Sequence, residues 1–450
     1  MNKSNSTDIK SLVKSLFSKS VASLMIKIVS AGLAYLMFVA LARAMSEVNY
    51  GQFAFGFALA SILAVGATMG QHIAILRFWP EETGKDKLQK AKDSLKSGWA
   101  ITIISGIIIT IAMIAIVLLA GYFTTGISSI IYIIAAALLI LPLALAEYGS
   151  AALLAQGSIW TSLTPKDVLW RASVPTIIWI LLFYGIELSG TQALLLATFI
   201  LSLVIMVQFI ISNKNGYYNS VGFSALKTYL PERGKITFWF FIASAIEVAS
   251  MNIDIVLVGL FITVESAGLY FNAFRTAGLL TLFMWATTLV VAPMIAKHFH
   301  VGEIRKAQAI TTFTTWIGFI LSVGVFIIFV FFGDFILSLF GDVYSEGKII
   351  LLIISAGMLV EAATGPTRIV MMMTGHEKAF VTIYGTLMLL GILLFLIFIP
   401  IFGIIGAAVI NMLTRAVAQT AIAFWAKRKI GLNTTLLGGW KLPKDLDNKE

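Results

Sequence analysis

Ten ionisable side chains stand within stretches of sequence that are otherwise apolar: the cations Lys27, Arg77, Arg171, Arg275, Arg368 and Arg415, and the acids Glu147, Glu247, Asp254 and Glu361. A charge at the centre of a bilayer costs at least roughly 2.5–3.5 kcal/mol on insertion scales, so such residues face a partner, a wet cavity or a route to the interface. For the cations the available chemistry is capture of an anion, phosphate above all, because the planar fork of arginine donates two hydrogen bonds to it. The acids could bind a proton or Na⁺ whose gradient drives turnover, since a protonated carboxyl is cheap to bury. An ion pair that fixes one helix against another is the competing role for each of the ten. Cysteine is absent, and no metal-ligand cluster, nucleotide loop or nucleophile motif occurs in a soluble segment. No cofactor, metal or catalytic residue is therefore expected, and ATP hydrolysis is not supported.

The elements that hold these charges must be membrane helices. Of 450 residues, 59% are hydrophobic and 12% charged, with mean hydropathy +0.94, far outside the soluble range. Apolar runs of about 20 residues, each able to cross roughly 30 Å of hydrocarbon as a helix, recur along the chain. Twelve are expected, at 17–42, 51–78, 94–120, 130–156, 167–186, 192–212, 234–262, 267–295, 308–332, 347–373, 378–399 and 403–427. The fold class is all-α integral membrane.

The basic excess fixes an orientation. Net charge is +10, and 24 of the 32 Lys and Arg residues fall in segments that a cytoplasmic N-terminus puts inside, against Arg43 and Lys348 outside. That is the positive-inside pattern, with both termini cytoplasmic; nucleic-acid binding is not needed to explain the charge. Ala40-Leu41-Ala42 and Ala42-Arg43-Ala44 fit signal-cleavage grammar, but the apolar run before them is too long and contains Lys27, so the first helix is read as uncleaved. Ahead of it Ile9, Leu12, Val13, Leu16 and Phe17 fall at helical spacing among Lys10, Lys14 and Lys19, which predicts a short helix on the anionic inner surface.

Depth then sorts the charges. Arg77, Glu147, Arg171 and Arg368 lie toward inner ends, where snorkelling is open to Arg77 and Arg171; Lys27, Glu247, Glu361 and Arg415 lie near the middle. Asp254 and Arg275 each lie about eight residues from the turn joining the seventh and eighth stretches, so at 1.5 Å per residue they share a depth and can neutralise each other. Lys27 has no acid on its own helix, which makes it the sharpest candidate for a cavity cation.

The chain also carries an internal duplication. NYGQFAFGFA re-enters the membrane after the first helix and SAGLYFNAFR after the seventh, aligning Gly51 with Gly268; LLAQGSIW ends the fourth helix and MMMTGHEK the tenth, aligning Gly157 with Gly375. The offsets, 217 and 218, nearly coincide at two equivalent topological points, which predicts two six-helix lobes related by a pseudo-two-fold axis along the membrane normal. The expected limits are an N-lobe at 1–212, an inter-lobe linker at 213–233, a C-lobe at 234–427 and a cytoplasmic tail at 428–450. Pro142, Pro175, Pro293 and Pro366 fall within stretches and can kink helices, while Trp79, Trp99, Trp160 and Trp425 read as interfacial anchors.

LARAMSEVNYGQFAF, MGQHIAILRFWPEE, DIVLVGLFITVESAGLYFNAFR and FGDVYSEGKIILLIISAGML together resemble the Wzx-type O-antigen and capsule flippases of the multidrug/oligosaccharidyl-lipid/polysaccharide exporter superfamily, with its MATE-like fold. The resemblance implies two lobes that alternate between inward-open and outward-open states. It implies as cargo an undecaprenyl-diphosphate-linked oligosaccharide repeat unit for O-antigen, capsule or exopolysaccharide, with membrane lipids and other polysaccharide-assembly proteins as partners. The six cations would then line the headgroup cavity, and the four acids would serve ion coupling or pairing. Two rivals stand beside this. A cation-coupled multidrug exporter needs an acidic or neutral lining, which six cations against four acids disfavour. A membrane-embedded polymerase or ligase needs a long polar outside loop, and the longest here, about 333–346, lacks Arg and His.

Overall fold

The computed structural model describes residues 25–123, 131–223 and 225–439, which are almost entirely helical, with no strand among them. The surface helix expected near 9–19 lies outside the described residues, as does the tail from 440 onward. By contact density the chain forms two compact units, Met1–Gly268 and Leu269–Glu450. This boundary follows packing, whereas the expected lobe limits follow a sequence repeat.

The first unit holds α1 (Met25–Ala44), α2 (Glu47–Ala67), α3 (Gln71–Thr83), α4 (Leu88–Phe123), α5 (Ile131–Ala155), α6 (Ile159–Thr164), a π-helical segment (Pro165–Trp170), α7 (Arg171–Phe183), α8 (Gly190–Lys214), α9 (Leu226–Ala249) and α10 (Ile253–Phe261). Its core forms where α2, α5 and α8 meet, and the reason is side-chain size. The buried residues of α5 include Ala135, Ala136, Ala137, Ala144, Ala146, Ala151 and Ala152, and small side chains let helices approach where apolar burial supplies no drive against lipid. Tyr50, Phe53 and Phe57 of α2 fill the space that this leaves, in a stacked column with centroid spacings of 6.3 and 5.7 Å. α9 and α10 join this unit by packing on α2. A Cβ added to Gly51 would meet the Val264 carbonyl oxygen at 2.0 Å, and one added to Gly268 would meet the Gly51 Cα at 3.1 Å, so the backbones touch.

Helix α11 (Val264–Ala277) leads into the second unit, which holds α12 (Leu282–His300), α13 (Ile304–Ser338), α14 (Lys348–Thr364), α15 (Thr367–Met373) and α16 (Glu377–Lys429). Gly403 interrupts α16 with φ 60° and ψ −148°. The chain folds back there: Gly391 and Thr414 would lie about 34 Å apart on a straight helix. Yet a Cβ on Gly391 would come within 2.6 Å of the Thr414 side chain. Gly365, at φ 72°, and Pro366 part α14 from α15. Beyond α16 the chain docks on α13: the Gln308 side chain donates to the Asn433 carbonyl (2.7 Å) and accepts from its N–H (2.8 Å). Thr315 donates to the Thr434 carbonyl at 2.8 Å.

Among the described residues eight helices are long and apolar enough to cross a membrane, or nine if α9 and α10, bent by 54°, form one span. The twelve expected stretches differ from these for two local reasons. Those at 167–186, 234–262 and 267–295 are broken into shorter helices, and those at 378–399 and 403–427 both fall in α16. Trp79 and Trp99 are corrected outright: both are buried in a cluster with Leu95 and Tyr148. The Trp99 indole N–H donates to Asn219 Oδ1 at 3.0 Å, which satisfies its polar edge within the protein.

The two duplicated glycines at helix ends adopt one conformation. Gly157 has φ 88° and Gly375 φ 80°. The following N–H closes a Schellman bond in each case, Ser158 to Leu153 (3.0 Å) and His376 to Met371 (2.9 Å), and only glycine adopts this left-handed geometry without a Cβ penalty.

Candidate functional site

The charges expected on α1 and α7 meet in the first unit. Lys27 Nζ lies 2.5 Å from Asp167 Oδ2, with the Asp167 side chain 7% exposed and that of Lys27 49% exposed. The Arg171 guanidinium approaches the other Asp167 oxygen at 3.7 Å and donates to the carbonyl (2.9 Å) and hydroxyl (2.6 Å) of Ser30, one turn along α1 from Lys27. Lys166 pairs with Glu147 of α5. Lys27, Lys166 and Arg171 with Asp167 and Glu147 thus bind α1, α5 and the start of α7 together.

The π-helical segment is what aims Lys166 and Asp167. Pro165 has no N–H, so the Thr161 carbonyl cannot close its helical bond and instead accepts from Gln208 Nε2 of α8 at 2.8 Å. At the other end Trp170, buried, donates to the Ala197 carbonyl at 3.0 Å and stacks on Phe57 at 6.3 Å. The widened turn is therefore pinned at both ends, a feature that recurs at functional sites. Successive residues of a helical turn point in different directions. Lys166 accordingly reaches α5 while Asp167 reaches α1.

Directly beyond this cluster a groove of about 920 Å³ runs between α1 and α7. Leu33, Leu36 and Val39 wall one side, and Pro175, Trp179 and Phe183 the other.

The other expected site residues stand on other helices, with Glu247 and the Glu147–Lys166 pair both within electrostatic reach of His72. Arg77 is exposed on α3, with Nε 4.0 Å from Glu81. Glu247 is partly buried on α9. Asp254 is buried in the first turn of α10 and accepts the Ile255 N–H at 2.9 Å. The break before α10 thus gives this carboxylate a helix N-terminus, where negative charge is favoured. In the second unit Arg275 occupies the last turn of α11, where positive charge is favoured, 4.8 Å above the Phe271 ring. Arg415, buried on α16, donates to Glu361 Oε2 of α14 at 2.8 Å. Arg368 lies 5.9 Å from the Phe380 ring centroid. His72 is bonded to Thr68 at 2.7 Å.

Sequence reading passed over Asp167, Lys166 and Ser30. Lys166 falls just before the expected 167–186 stretch and Asp167 at its first position; the Thr-Pro-Lys-Asp run, a proline followed by two opposite charges at a helix entry, was the signal available. Arg233 was missed likewise: it pairs with Glu82 of α3 and lies 4.0 Å above the Phe78 ring, so the residues expected as a plain linker hold α9 to α3.

Solved structures share this fold. A multidrug resistance MATE family transporter of the MOP superfamily, in an inward-facing conformation, superposes with a TM-score of 0.71 at 15% identity, over 92% of this chain and 98% of that one. A MOP superfamily transporter from Pyrococcus furiosus gives 0.67 at 14%, over 93% and 96%. The lipid II flippase MurJ, inward closed, gives 0.66 at 17%, over 90% and 87%. No curated protein matches the sequence at a significant level. The family described as polysaccharide biosynthesis protein matches residues 16–299, more than half of the chain. Multiple long apolar helices and this shared fold make the molecule a multi-pass membrane protein. On that match, the chain belongs to the polysaccharide biosynthesis protein family.

Proposed function

We propose that the protein is a flippase that carries an undecaprenyl-diphosphate-linked oligosaccharide repeat unit from the inner to the outer leaflet of the bacterial cytoplasmic membrane by alternating access, for O-antigen, capsule or exopolysaccharide assembly. One observation carries this reading: in a chain of the polysaccharide biosynthesis family, Lys27 and Arg171 flank Asp167 among apolar helices. A diphosphate headgroup requires fixed cations at a place where hydrocarbon would otherwise exclude it. An ammonium has three donors and Asp167 engages it on one side, so the half-exposed Lys27 can meet phosphate while staying in place. Arg171, held by Ser30, adds a second positive group whose position is set before the ligand arrives. The chemistry is translocation and not bond making. Glu147, Glu247, Asp254 and Glu361 are the carboxyls available to couple it to a proton or Na⁺ gradient.

Depletion of the protein in its host, followed by mass spectrometry of polyprenyl-linked lipids with an impermeant reagent for sidedness, tests this. Accumulation of a complete diphosphate-linked repeat unit on the cytoplasmic face supports the flippase and identifies the sugar. No accumulation favours a drug exporter; arrival on the outer face without polymerisation favours a polymerase. Either result ends the proposal.

A further inference from the structure

We propose that the groove between α1 and α7 seats the isoprenoid chain of the transported lipid, running outward along α1 from a phosphate held at Lys27 and Arg171; this rests on reading that cluster as the phosphate seat. The first support is continuity. Ala172, which lines the groove, directly follows Arg171, and Leu33 lies one turn beyond Ser30, the residue that receives the Arg171 guanidinium. Headgroup and chain would thus be held by adjoining turns of the same two helices.

The lining supplies the second. Thr176 and Tyr184 carry the only side-chain hydroxyls in it, and Thr176 donates its own to the Ala172 carbonyl at 2.8 Å. Apart from the Tyr184 hydroxyl and the Trp179 indole N–H such walls are apolar and suit hydrocarbon better than sugar hydroxyls, which assigns the oligosaccharide elsewhere. Trp179 and Phe183 add broad aromatic surface with few rotatable bonds, so little side-chain entropy is lost when a chain packs there.

Dimensions and charge supply the third. From Ala172 to Tyr184 the helix rises roughly 18 Å, against about 15 Å for the hydrocarbon of one leaflet. The groove is therefore long enough to guide one chain through one leaflet. An ordinary phospholipid would also find apolar walls here, but Lys27 and Arg171 at one end favour a lipid whose head carries a diphosphate.

The test uses the full-length protein in nanodiscs of phosphatidylethanolamine and phosphatidylglycerol. The probe is a polyprenyl diphosphate with a diazirine on its isoprenoid chain; adducts are mapped by peptide mass spectrometry after irradiation. Adducts at 33–39 and 172–184, displaced by unlabelled polyprenyl diphosphate and not by added phosphatidylglycerol, support the proposal. Thr176→Trp fills the groove from α7 and Leu36→Trp from α1; both sites are exposed in the structure, and each change should cut labelling about tenfold by displacing a methylene pair. Displacement by phosphatidylglycerol as effective as by the diphosphate makes the groove an ordinary lipid-facing surface and overturns the idea. Adducts confined to other helices do the same. Sidedness after depletion is a separate readout: accumulation on the inner face without groove adducts leaves translocation standing and removes the groove, whereas groove adducts without accumulation leave the groove and remove translocation.

Discussion

Gly51 and Gly268, which a 217-residue offset aligns between the two halves of the sequence, lie against each other in the fold, with the Gly51 Cα 3.1 Å from where a Gly268 Cβ would stand. The absence of side chains at both positions is what lets the entry of α2 meet the start of α11. Gly51→Ala would drive a methyl onto the Val264 carbonyl, a backbone atom that cannot rotate aside. The expected loss is roughly 3 kcal/mol, the upper part of the range for overpacking, read as a lowered unfolding temperature in detergent. An unchanged unfolding temperature would show that the backbones separate at little cost.

The Lys27–Asp167 pair should respond asymmetrically. Asp167 is buried between two cations, so Asp167→Asn leaves positive groups facing each other and should cost about 3 kcal/mol. Lys27 is half exposed and leaves Asp167 with Arg171, so Lys27→Ala should cost about 1 kcal/mol or less. Delivery of lipid-linked sugar to the outer face should nevertheless fail in Lys27→Ala. The exchange Lys27→Asp with Asp167→Lys separates the two roles: restored delivery would make the pair a helix fastener and nothing more.

Arg415 and Glu361 tie α16 to α14 with the arginine buried. Arg415→Met strands a carboxylate and should destabilise by about 3 kcal/mol, while adding Glu361→Leu should recover most of that loss. Chemical unfolding of the single and double variants checks this, and strictly additive losses would argue against direct coupling.

Gln308 holds both backbone groups of Asn433, and Gln308→Leu leaves them without partners. A cost of roughly 1–3 kcal/mol is expected, with faster proteolysis after α16. Equal proteolysis rates for the variant and the parent would count against this docking.

Glu303, ahead of α13, has its carboxyl held below the usual carboxylate range by the hydrogen bond from Lys306 and then by that from His298. A carboxyl whose folded pKa is depressed contributes stability above its unfolded value and loses it as pH falls through the folded value. Titration followed by carboxyl NMR should place Glu303 below free glutamate, and Lys306→Ala should move it back up. The effect on unfolding should be small, because the group is exposed.

The membrane class and the charges within apolar stretches were legible in the sequence, because both depend on composition. Gly157 and Gly375 were legible as a pair, and both adopt the left-handed helix end that a Schellman bond requires. Helix integrity was less legible. Pro366 marked a possible kink beside Gly365, but nothing in the Ser250-Met251-Asn252 run before α10 separates a break from a continuous span, because hydropathy is indifferent to whether a backbone bond is made. Lys166 and Asp167 went unremarked at the entry to the 167–186 stretch, and Trp99 read as an interfacial anchor although Asn219, 120 residues away, satisfies it.

What the sequence determined by itself is that this chain is membrane-embedded and helical and carries a surplus of cations within apolar stretches, since the energy of moving a residue into hydrocarbon depends on the residue. Only the tertiary structure decided that Lys27 and Arg171 share Asp167, that Arg415 answers Glu361, and that α1 and α7 leave a groove beside the first of these clusters. Those outcomes depend on which helix lies beside which and on its rotation about its own axis. Both are set by many small packing contacts between residues more than a hundred positions apart in the case of α1 and α7, and no local pattern encodes them.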